Sequence, residues 1–255
     1  MSSDVKIELQ SARVIADGKE FGNVGCYEYL TGWIHFEIEP NSPLPTKIVD
    51  LENACKNEHG NVEYSSQIHI LRPLDPTKSN RRLFFDYGNR GNKRAIQYFN
   101  DALASNEPVS SEECGNGFLF RRGYSIVWVA WQGDLLPGDG RMIMRLPKAI
   151  NKNGPILGKV RTEFIATKEG ETTFPLSGWI STRSHPTVSL DTSKAKLTKR
   201  QYPDEEREVI PPSKWSFARV DGGQGMDFQA KKLPLYPLTF TYTSQPPFKQ
   251  AGYMN

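Results

Sequence analysis

YSIVWVAW, at residues 124–131, is apolar at nearly every position, unlike the other strand-like segments of the chain. A strand with one buried face alternates apolar and polar residues, whereas a strand covered by helices on both faces is apolar throughout. The run RLFFDY at residues 82–87 is also compact and apolar. Between the two runs, four apolar residues from Ala95 to Leu103 have the spacing of one buried helix face. The order strand, helix, two-sided strand predicts a βαβ unit with parallel strands.

The segments on either side of this unit have the patterns of short, half-buried strands. Three strands are predicted before it, at Val5–Ile15, Tyr27–Ile38 and Val62–Leu71. After residue 138 the helical periodicity disappears, and short strands are predicted at Val160–Thr167, Thr173–Ile180, Thr187–Leu190 and Ala195–Arg200. We therefore predict an α/β fold with a partial mixed sheet, an antiparallel β-rich N-terminal part and a β-rich insertion. The predicted domains are residues 1–137, the insertion at 138–220, and an irregular, poorly ordered tail at 221–255.

Composition excludes several classes of function. The formal net charge is +3 at a pI near 8.6, and the basic residues are interspersed with acids, so we expect no nucleic-acid partner. No apolar run is long enough to span a bilayer, and the N-terminus lacks the apolar core of a secretory signal. Cys26, Cys55 and Cys114 have neither disulfide-framework nor zinc-site spacing, which favours a reducing, cytoplasmic location. We expect no membrane association and no cofactor, and the sequence does not define the oligomeric state.

The loop Gly88-Asn89-Arg90-Gly91-Asn92 lies between the first strand of the unit and its helix. Backbone N–H groups converge at such a turn and suit an anion or a developing oxyanion. The other interpretation is that a strand-to-helix turn simply needs residues of this kind. Lys93 is followed by Arg94 and the glycine spacing differs from that of a phosphate-binding loop, so nucleotide binding is excluded on that motif.

Trp131, Gln132 and Gly133 end the two-sided strand. Ligands of open α/β sheets bind beyond the carboxyl ends of the strands, so these residues are candidate pocket-lining residues facing the Gly88–Asn92 loop. The alternative is a strand-end turn with a packed tryptophan.

No catalytic residue is predicted within the chain. No serine stands in the frame Gly-x-Ser-x-Gly, which allows the strained turn that exposes a nucleophile. The cysteines are expected to be packed or neutral thiols. The histidines, His35, His59, His69 and His185, are dispersed without metal-ligand spacing, so we expect no metal site. His35 and His69 fall within predicted strands, where solvent-facing or satisfied core positions are typical.

The chain resembles the N-terminal region of a family of large, mostly uncharacterised α/β-hydrolase-domain proteins. The motifs that carry the resemblance span Val5–Val220 and are Ile48–Ala54, Gly60–Tyr64, Ile70–Pro73, Asn89–Lys93, Gly115–Asp134, Ala195–Thr198 and Trp215–Ala218. The resemblance implies a partial α/β-hydrolase-like sheet in which the Gly88–Asn92 loop supplies an oxyanion-hole donor. It also implies that helix Gly115–Arg122 and strand Tyr124–Trp131 form the next α/β unit.

Members of that family continue through an elbow serine, an acid and a histidine, whereas this sequence changes after Val220 to a tail rich in Gly, Lys and Pro. We therefore expect a truncated, inactive member of an ester-hydrolysing family, whose small-molecule, ester-like substrate binds when the missing C-terminal part is present. The alternative hypothesis is a non-catalytic, β-rich binding or interaction module that uses exposed aromatic residues. Its candidates are Trp33, Phe36, Tyr64 and Trp179, for each of which core packing is the competing interpretation.

Overall fold

The computed structural model describes residues 5–41, 48–166, 173–176, 182–183, 187–218, 239–242 and 251–254. The chain forms two compact units, Met1–Ile156 and Leu157–Asn255. The two units divide after residue 156, whereas the sequence predicts a domain boundary at residue 138. The predicted domain limits stay predictions. No helix in the described part of the chain is long and apolar enough to cross a membrane.

The first unit is built on one sheet with the strand order β1-β2-β3-β5-β4, to which β6 adds by pairing with β3. The strands of this unit are β1 Val5–Val14, β2 Tyr27–Ile38, β3 Val62–Pro73, β4 Leu83–Asp86, β5 Ser125–Val129, β6 Met144–Arg145, and a separate hairpin of β7 Ile150–Asn151 with β8 Gly154–Pro155. Its α-helices are α1 Ala95–Phe99 and α2 Ser111–Cys114. Its 3-10 turns are Ala16–Gly18, Gly22–Val24, Leu51–Asn53, Pro76–Lys78 and Phe120–Arg122.

The centre of the sheet is the long antiparallel pair β2–β3, which is in register from Tyr27 opposite Pro73 to Ile38 opposite Val62. β1 pairs antiparallel with β2, and β5 pairs antiparallel with β3. β4 and β5 pair in parallel over four residues each, with α1 and α2 between them in the chain. The alternation of the three N-terminal segments therefore predicted antiparallel strands correctly, and the two compact apolar runs do lie side by side in parallel.

The predicted α/β fold class is nevertheless wrong. The structure is mostly β, with 36% strand and 16% helix, and the α-helices of the described residues are α1 and α2, of five and four residues. The sheet is largely antiparallel. The apolar run at residues 124–131 is buried on both faces, since Trp128 lies in one apolar cluster and Val127 in another. Such a run reports burial on two sides, but the elements that cover it need not be helices.

Two helix predictions fail at identifiable residues. The helix predicted to reach Leu103 ends at Phe99, and Leu103 is 61% exposed. The fully buried Asn100 ends it, because its side chain donates to the Cys114 carbonyl and accepts from the Leu119 N–H at 2.9 Å. These bonds tie the chain to the following segment instead of the next helical turn.

The helix predicted over residues 115–122 is reduced to the 3-10 turn Phe120–Arg122. Gly115 and Gly117 both have positive φ, which interrupts an α-helix. Two further local signals are confirmed: the spacing of Ser110 and Glu113 predicts a capping box at a helix start, and Gly123 predicts a left-handed helix stop. Ser110 and Glu113 form a capping box at the start of α2, and Gly123 is the left-handed residue that follows the turn.

The main core of the first unit lies on one face of the sheet. Its most completely buried large members include Tyr27, Tyr29, Leu71, Phe120, Ile126 and Trp128, packed against Ala95, Ile96 and Cys114. A second, smaller cluster of Ile34, Ile68 and Val127 lies on the opposite face. The two clusters separate because successive side chains of a strand point to opposite faces.

The second unit has two sheets, with orders β10-β14-β13 and β12-β11-β15-β9. Its strands are β9 Thr162–Ile165, β10 Thr173–Pro175, β11 Leu197–Arg200, β12 Glu208–Ile210, β13 Trp215–Ala218, β14 Thr239–Tyr242 and β15 Ala251–Met254, with 3-10 turns at Thr192–Lys194 and Pro212–Lys214. Leu176, Leu197, Ile210 and Trp215 form its apolar cluster. The strand predicted over Thr187–Leu190 is wrong, since those residues are irregular. The predicted tail at 221–255 lies outside the described residues except for β14 and β15.

Candidate functional site

The Gly88–Asn92 loop is a tight turn between β4 and α1. The Asn92 N–H donates to the Asn89 carbonyl at 3.1 Å, and the two residues form an isolated antiparallel bridge. Arg90 and Gly91 both have positive φ, at 53° and 76°. Gly91 is required for a second reason, because a Cβ at that position would lie 2.5 Å from the Met142 carbonyl oxygen. The loop conformation is therefore specified by its own residues and by the Met142 backbone.

The loop contacts the end of β5, as the sequence predicted. Trp131 Nε1 donates to the Gly88 carbonyl at 2.6 Å, and the Arg90 N–H donates to Gln132 Oε1 at 2.7 Å. Parallel pairing of β4 with β5 explains this adjacency, because the carboxyl ends of parallel strands lie at the same edge of a sheet. Gly133 packs closely against the Leu146 side chain. The structure thus brings together the two groups of predicted site residues.

Five N–H donors of the loop and of the residues that follow it have acceptors within the protein. Besides Arg90 and Asn92, the Lys93 N–H donates to Asn106 Oδ1, and the N–H groups of Arg94 and Ala95 both donate to Asp86 Oδ2, each at 2.9 Å. An oxyanion hole needs donors directed at an external oxygen. The bonding supports the interpretation as a strand-to-helix turn, and the oxyanion role stays a prediction.

The described residues do not assemble a nucleophile with a base. Burial raises the pKa of the Cys114 thiol to about 12, which keeps it protonated. His35 lies 3.4 Å from Glu8, and His59 lies 3.6 Å from Glu58, both at exposed positions. His185 lies outside the described residues. Within the described ranges, no group of three or more His, Cys, Asp or Glu side chains could hold a metal ion.

A buried polar cluster of Tyr29, His69 and Lys93 lies behind the loop, and the sequence did not predict it. The Tyr29 hydroxyl and His69 Nδ1 share a hydrogen bond of 2.5 Å. Lys93 is 3% exposed, and its Nζ donates to the Asn106 carbonyl and lies 5.8 Å from the ring centroids of Tyr29 and Trp128. Alternation along β3 gave no signal for His69, because Ile68 and Ile70 mark the opposite face as the buried one.

Burial shifts the pKa values of all three groups toward their neutral forms. Desolvation, assisted by the nearby charges of Lys93 and Arg13, lowers the pKa of His69 to about 3. Desolvation lowers the pKa of Lys93 to about 7, although Glu107 and Asp86 act in the opposite direction. The pKa of Tyr29 is raised, again mainly by desolvation. The cluster is thus a weakly charged part of the core near neutral pH.

An open groove of about 530 Å³ lies at the other end of the β2–β3 pair. Its polar lining residues are Lys6, His35, Glu37, Glu63, Ser65 and Arg145, and its apolar and aromatic ones are Phe36, Tyr64, Leu146 and Pro147. No ion pair joins Lys6, Glu37, Glu63 or Arg145 to another residue of the described ranges. The groove therefore presents both signs of charge without internal neutralisation.

Two carboxylates face each other in this groove, because Glu37 and Glu63 are cross-strand partners of β2 and β3. The Asn57 amide holds them together, donating to Glu37 at 2.8 Å and to Glu63 at 2.7 Å. A further amide hydrogen bond comes to Glu37 from Asn61 at 2.9 Å. The bonds from Asn57 and Asn61 lower the pKa of Glu37, so its carboxylate stays charged at neutral pH.

Two of the aromatic residues proposed for recognition, Phe36 and Tyr64, line this groove. Trp33 is 8% exposed, and the Arg145 guanidinium lies 4.0 Å from its ring centroid. Phe36 and Tyr64 stack at 4.6 Å on the opposite face from Glu37 and are half-buried. Trp179 lies outside the described residues. The groove thus combines charged side chains with the half-buried Phe36–Tyr64 pair.

No family model matches this sequence, and no curated protein and no solved structure is significantly similar to it.

Proposed function

We propose that this chain is a non-catalytic binding module whose site is the groove between Lys6 and the Glu37–Glu63 pair. The observation that carries the proposal is the pair of opposed carboxylates, held by Asn57, in the same cavity as Lys6 and Arg145. The volume lies within the range of small-molecule sites. The absence of a Gly-x-Ser-x-Gly frame from the sequence favours binding over catalysis.

The charges of the groove define the class of ligand. The Asn57 amide holds the two carboxylates together but carries no charge, so the Glu37–Glu63 pair concentrates negative charge and selects an ammonium or guanidinium group. Lys6 and Arg145 select a carboxylate on the same molecule. An amino acid or short peptide with a basic side chain carries both groups.

Binding of the dipeptide lysyl-alanine, followed by tryptophan fluorescence and calorimetry, tests the proposal. The chain is expected to bind lysyl-alanine and to lose affinity for its doubly N-acetylated form. Glu37→Gln removes one carboxylate charge and is expected to weaken binding about tenfold. Glu206→Gln, in the second unit, is the matched control and is expected to have no effect. Equal binding of both dipeptides, or of neither, contradicts the proposal.

A second candidate function is ester hydrolysis, suggested by the resemblance to α/β-hydrolase-domain proteins. The supporting observation is the contact of the Gly88–Asn92 loop with Trp131 and Gln132 at one edge of the sheet. In this hypothesis the loop serves an ester-like substrate, and a nucleophile comes from a segment that does not belong to this sequence.

A serine-reactive fluorophosphonate and short-chain aryl esters separate the two candidates. The binding-module proposal predicts no labelling and no turnover by the purified chain. Turnover together with a labelled serine would replace it with the hydrolase candidate.

A further inference from the structure

β1 is an unusually exposed edge strand. It is the first strand of the sheet order, and among the described residues its ladder runs to β2 alone. All ten of its residues are exposed, and Val5, Ile7 and Leu9 are 54%, 56% and 50% exposed. Proteins normally protect such an edge with charged side chains, proline, short length, bulges or covering segments, and β1 has charges at Lys6 and Glu8. The pairing is interrupted by a bulge between Leu9 and Ser11, so Val5–Leu9 is a regular edge that no other described strand pairs with.

The two faces of this edge have different chemistry. Val5, Ile7 and Leu9 lie opposite Phe36, Ile34 and Gly32 of β2, and they therefore extend the apolar face that contains Ile34, Ile68 and Val127. Lys6 and Glu8 lie on the other face. A strand added along β1 would bury apolar side chains on one face and meet one charge of each sign on the other.

We propose that β1 pairs antiparallel with β1 of a second copy of this chain, with the two-fold axis at Ile7. An antiparallel pair of identical edge strands has its two-fold axis perpendicular to the sheet, so each residue keeps its face. Directly opposed residues then lie on the same face, so their residue numbers are both odd or both even. The axis therefore passes midway between the two copies of one residue.

Charge complementarity selects Ile7 as that residue. With the axis there, Lys6 lies opposite Glu8 of the partner subunit, Glu8 lies opposite the partner's Lys6, and Val5 lies opposite the partner's Leu9. An axis at Lys6 or at Glu8 would oppose two identical charges, which is destabilising. An axis at Leu9 would pair Glu8 with the partner's Gln10 and would run into the bulge. Among axes at residues 6 to 9, the register centred on Ile7 thus satisfies both the apolar and the charged face.

Charge reversal with a measurement of mass tests the proposal on the full chain. The wild-type chain, of 28.8 kDa, is expected to sediment as a dimer in the micromolar range. Lys6→Glu turns two attractive pairs into two repulsive ones and is expected to weaken dimerisation by about ten- to a hundredfold. Glu8→Lys is expected to do the same, and the double variant to restore the dimer, because the reversed charges again face each other. Lys152→Glu, on the β7–β8 hairpin, is the control.

Cysteine cross-linking tests the register separately, in a Cys55→Ser background. Ile7→Cys places two thiols directly opposite each other at the axis, within the reach of a disulfide. Val5→Cys places them about 13 Å apart along the strands and is expected not to cross-link. The proposal would be overturned if the wild-type chain were a monomer at all concentrations, or if the single charge reversals left the dimer unchanged. Equal cross-linking of the two cysteine variants would also overturn it. Failure of dipeptide binding with this dimer intact would instead reject the proposed function alone.

Discussion

Replacing the buried Lys93 by methionine is expected to stabilise the protein. Lys93 is 3% exposed, and desolvation lowers its pKa from 10.5 to about 7. In the unfolded chain the ammonium is solvated and keeps its ordinary pKa, so at pH 7 the native state bears about 4 kcal/mol of unfavourable free energy from this group. Methionine has a similar length, has no charge, and retains the contacts with Tyr29 and Trp128.

The loss of one hydrogen bond offsets part of this gain. The Lys93 Nζ donates to the Asn106 carbonyl, and removing such a donor costs about 2 kcal/mol. The net expectation for Lys93→Met is a free energy of unfolding about 2 kcal/mol higher at pH 7. Lys152→Met, at an exposed position, is the matched control and is expected to change little.

The pH dependence of the free energy of unfolding tests the desolvation of Lys93 independently. Between pH 7 and 10.5 the unfolded chain holds a proton on Lys93 that the native state has released, so the free energy of unfolding rises with pH. From pH 7 to pH 9 the rise is about 2 kcal/mol in the wild type, and it is absent in Lys93→Met. Urea denaturation followed by tryptophan fluorescence measures both. If the variant is less stable at pH 7, or if the wild-type value is flat over this interval, the ammonium is not desolvated in the native state.

Three further substitutions test the site and its surroundings by the same urea assay. His69 has a native pKa of about 3 and an ordinary one of 6.5, so below pH 6.5 the unfolded chain binds a proton that the native state does not, and the free energy of unfolding falls by up to about 5 kcal/mol. His69→Gln should abolish that fall. An unchanged acid profile in the variant would contradict the burial of a neutral imidazole. Asp86→Asn weakens the acceptor of the Trp128 indole and of two N–H groups at the start of α1, so the free energy of unfolding should fall by about 2 kcal/mol. Glu52→Gln is the control and should leave the free energy of unfolding unchanged. Ser110→Ala removes the capping box of α2 and should lose about 1 kcal/mol, whereas Ser110→Asp should retain most of it.

Local signals in the sequence predicted local structure well. Alternation identified β1, β2 and β3, the serine-to-glutamate spacing identified the α2 cap, and Gly123 marked a chain reversal. Each of these signals depends on residues that are close in sequence. The interactions behind them lie within one strand or one turn, so they can be predicted without knowledge of tertiary contacts.

The extent of helix was not predictable, because tertiary contacts determine it. Nothing in the periodicity from residue 95 to 103 shows that Asn100 bonds to Cys114 and Leu119, which ends α1. The adjacency of the Gly88–Asn92 loop to Trp131 was predictable, since it follows from a parallel strand pair. The burial of Lys93 was not, because its solvation depends on the packing of α1 against the sheet.

The dimer and the binding groove are coupled through Lys6, which belongs to both. In the proposed dimer its ammonium faces Glu8 of the partner subunit, whereas in the groove it faces the carboxylate of a ligand. Two anions then compete for one cation, so bound ligand should weaken dimerisation, and dimerisation should weaken ligand binding by the same factor. This reciprocity is independent of either affinity. Equal dimerisation constants with and without saturating lysyl-alanine would mean that Lys6 serves one of the two partners and not both.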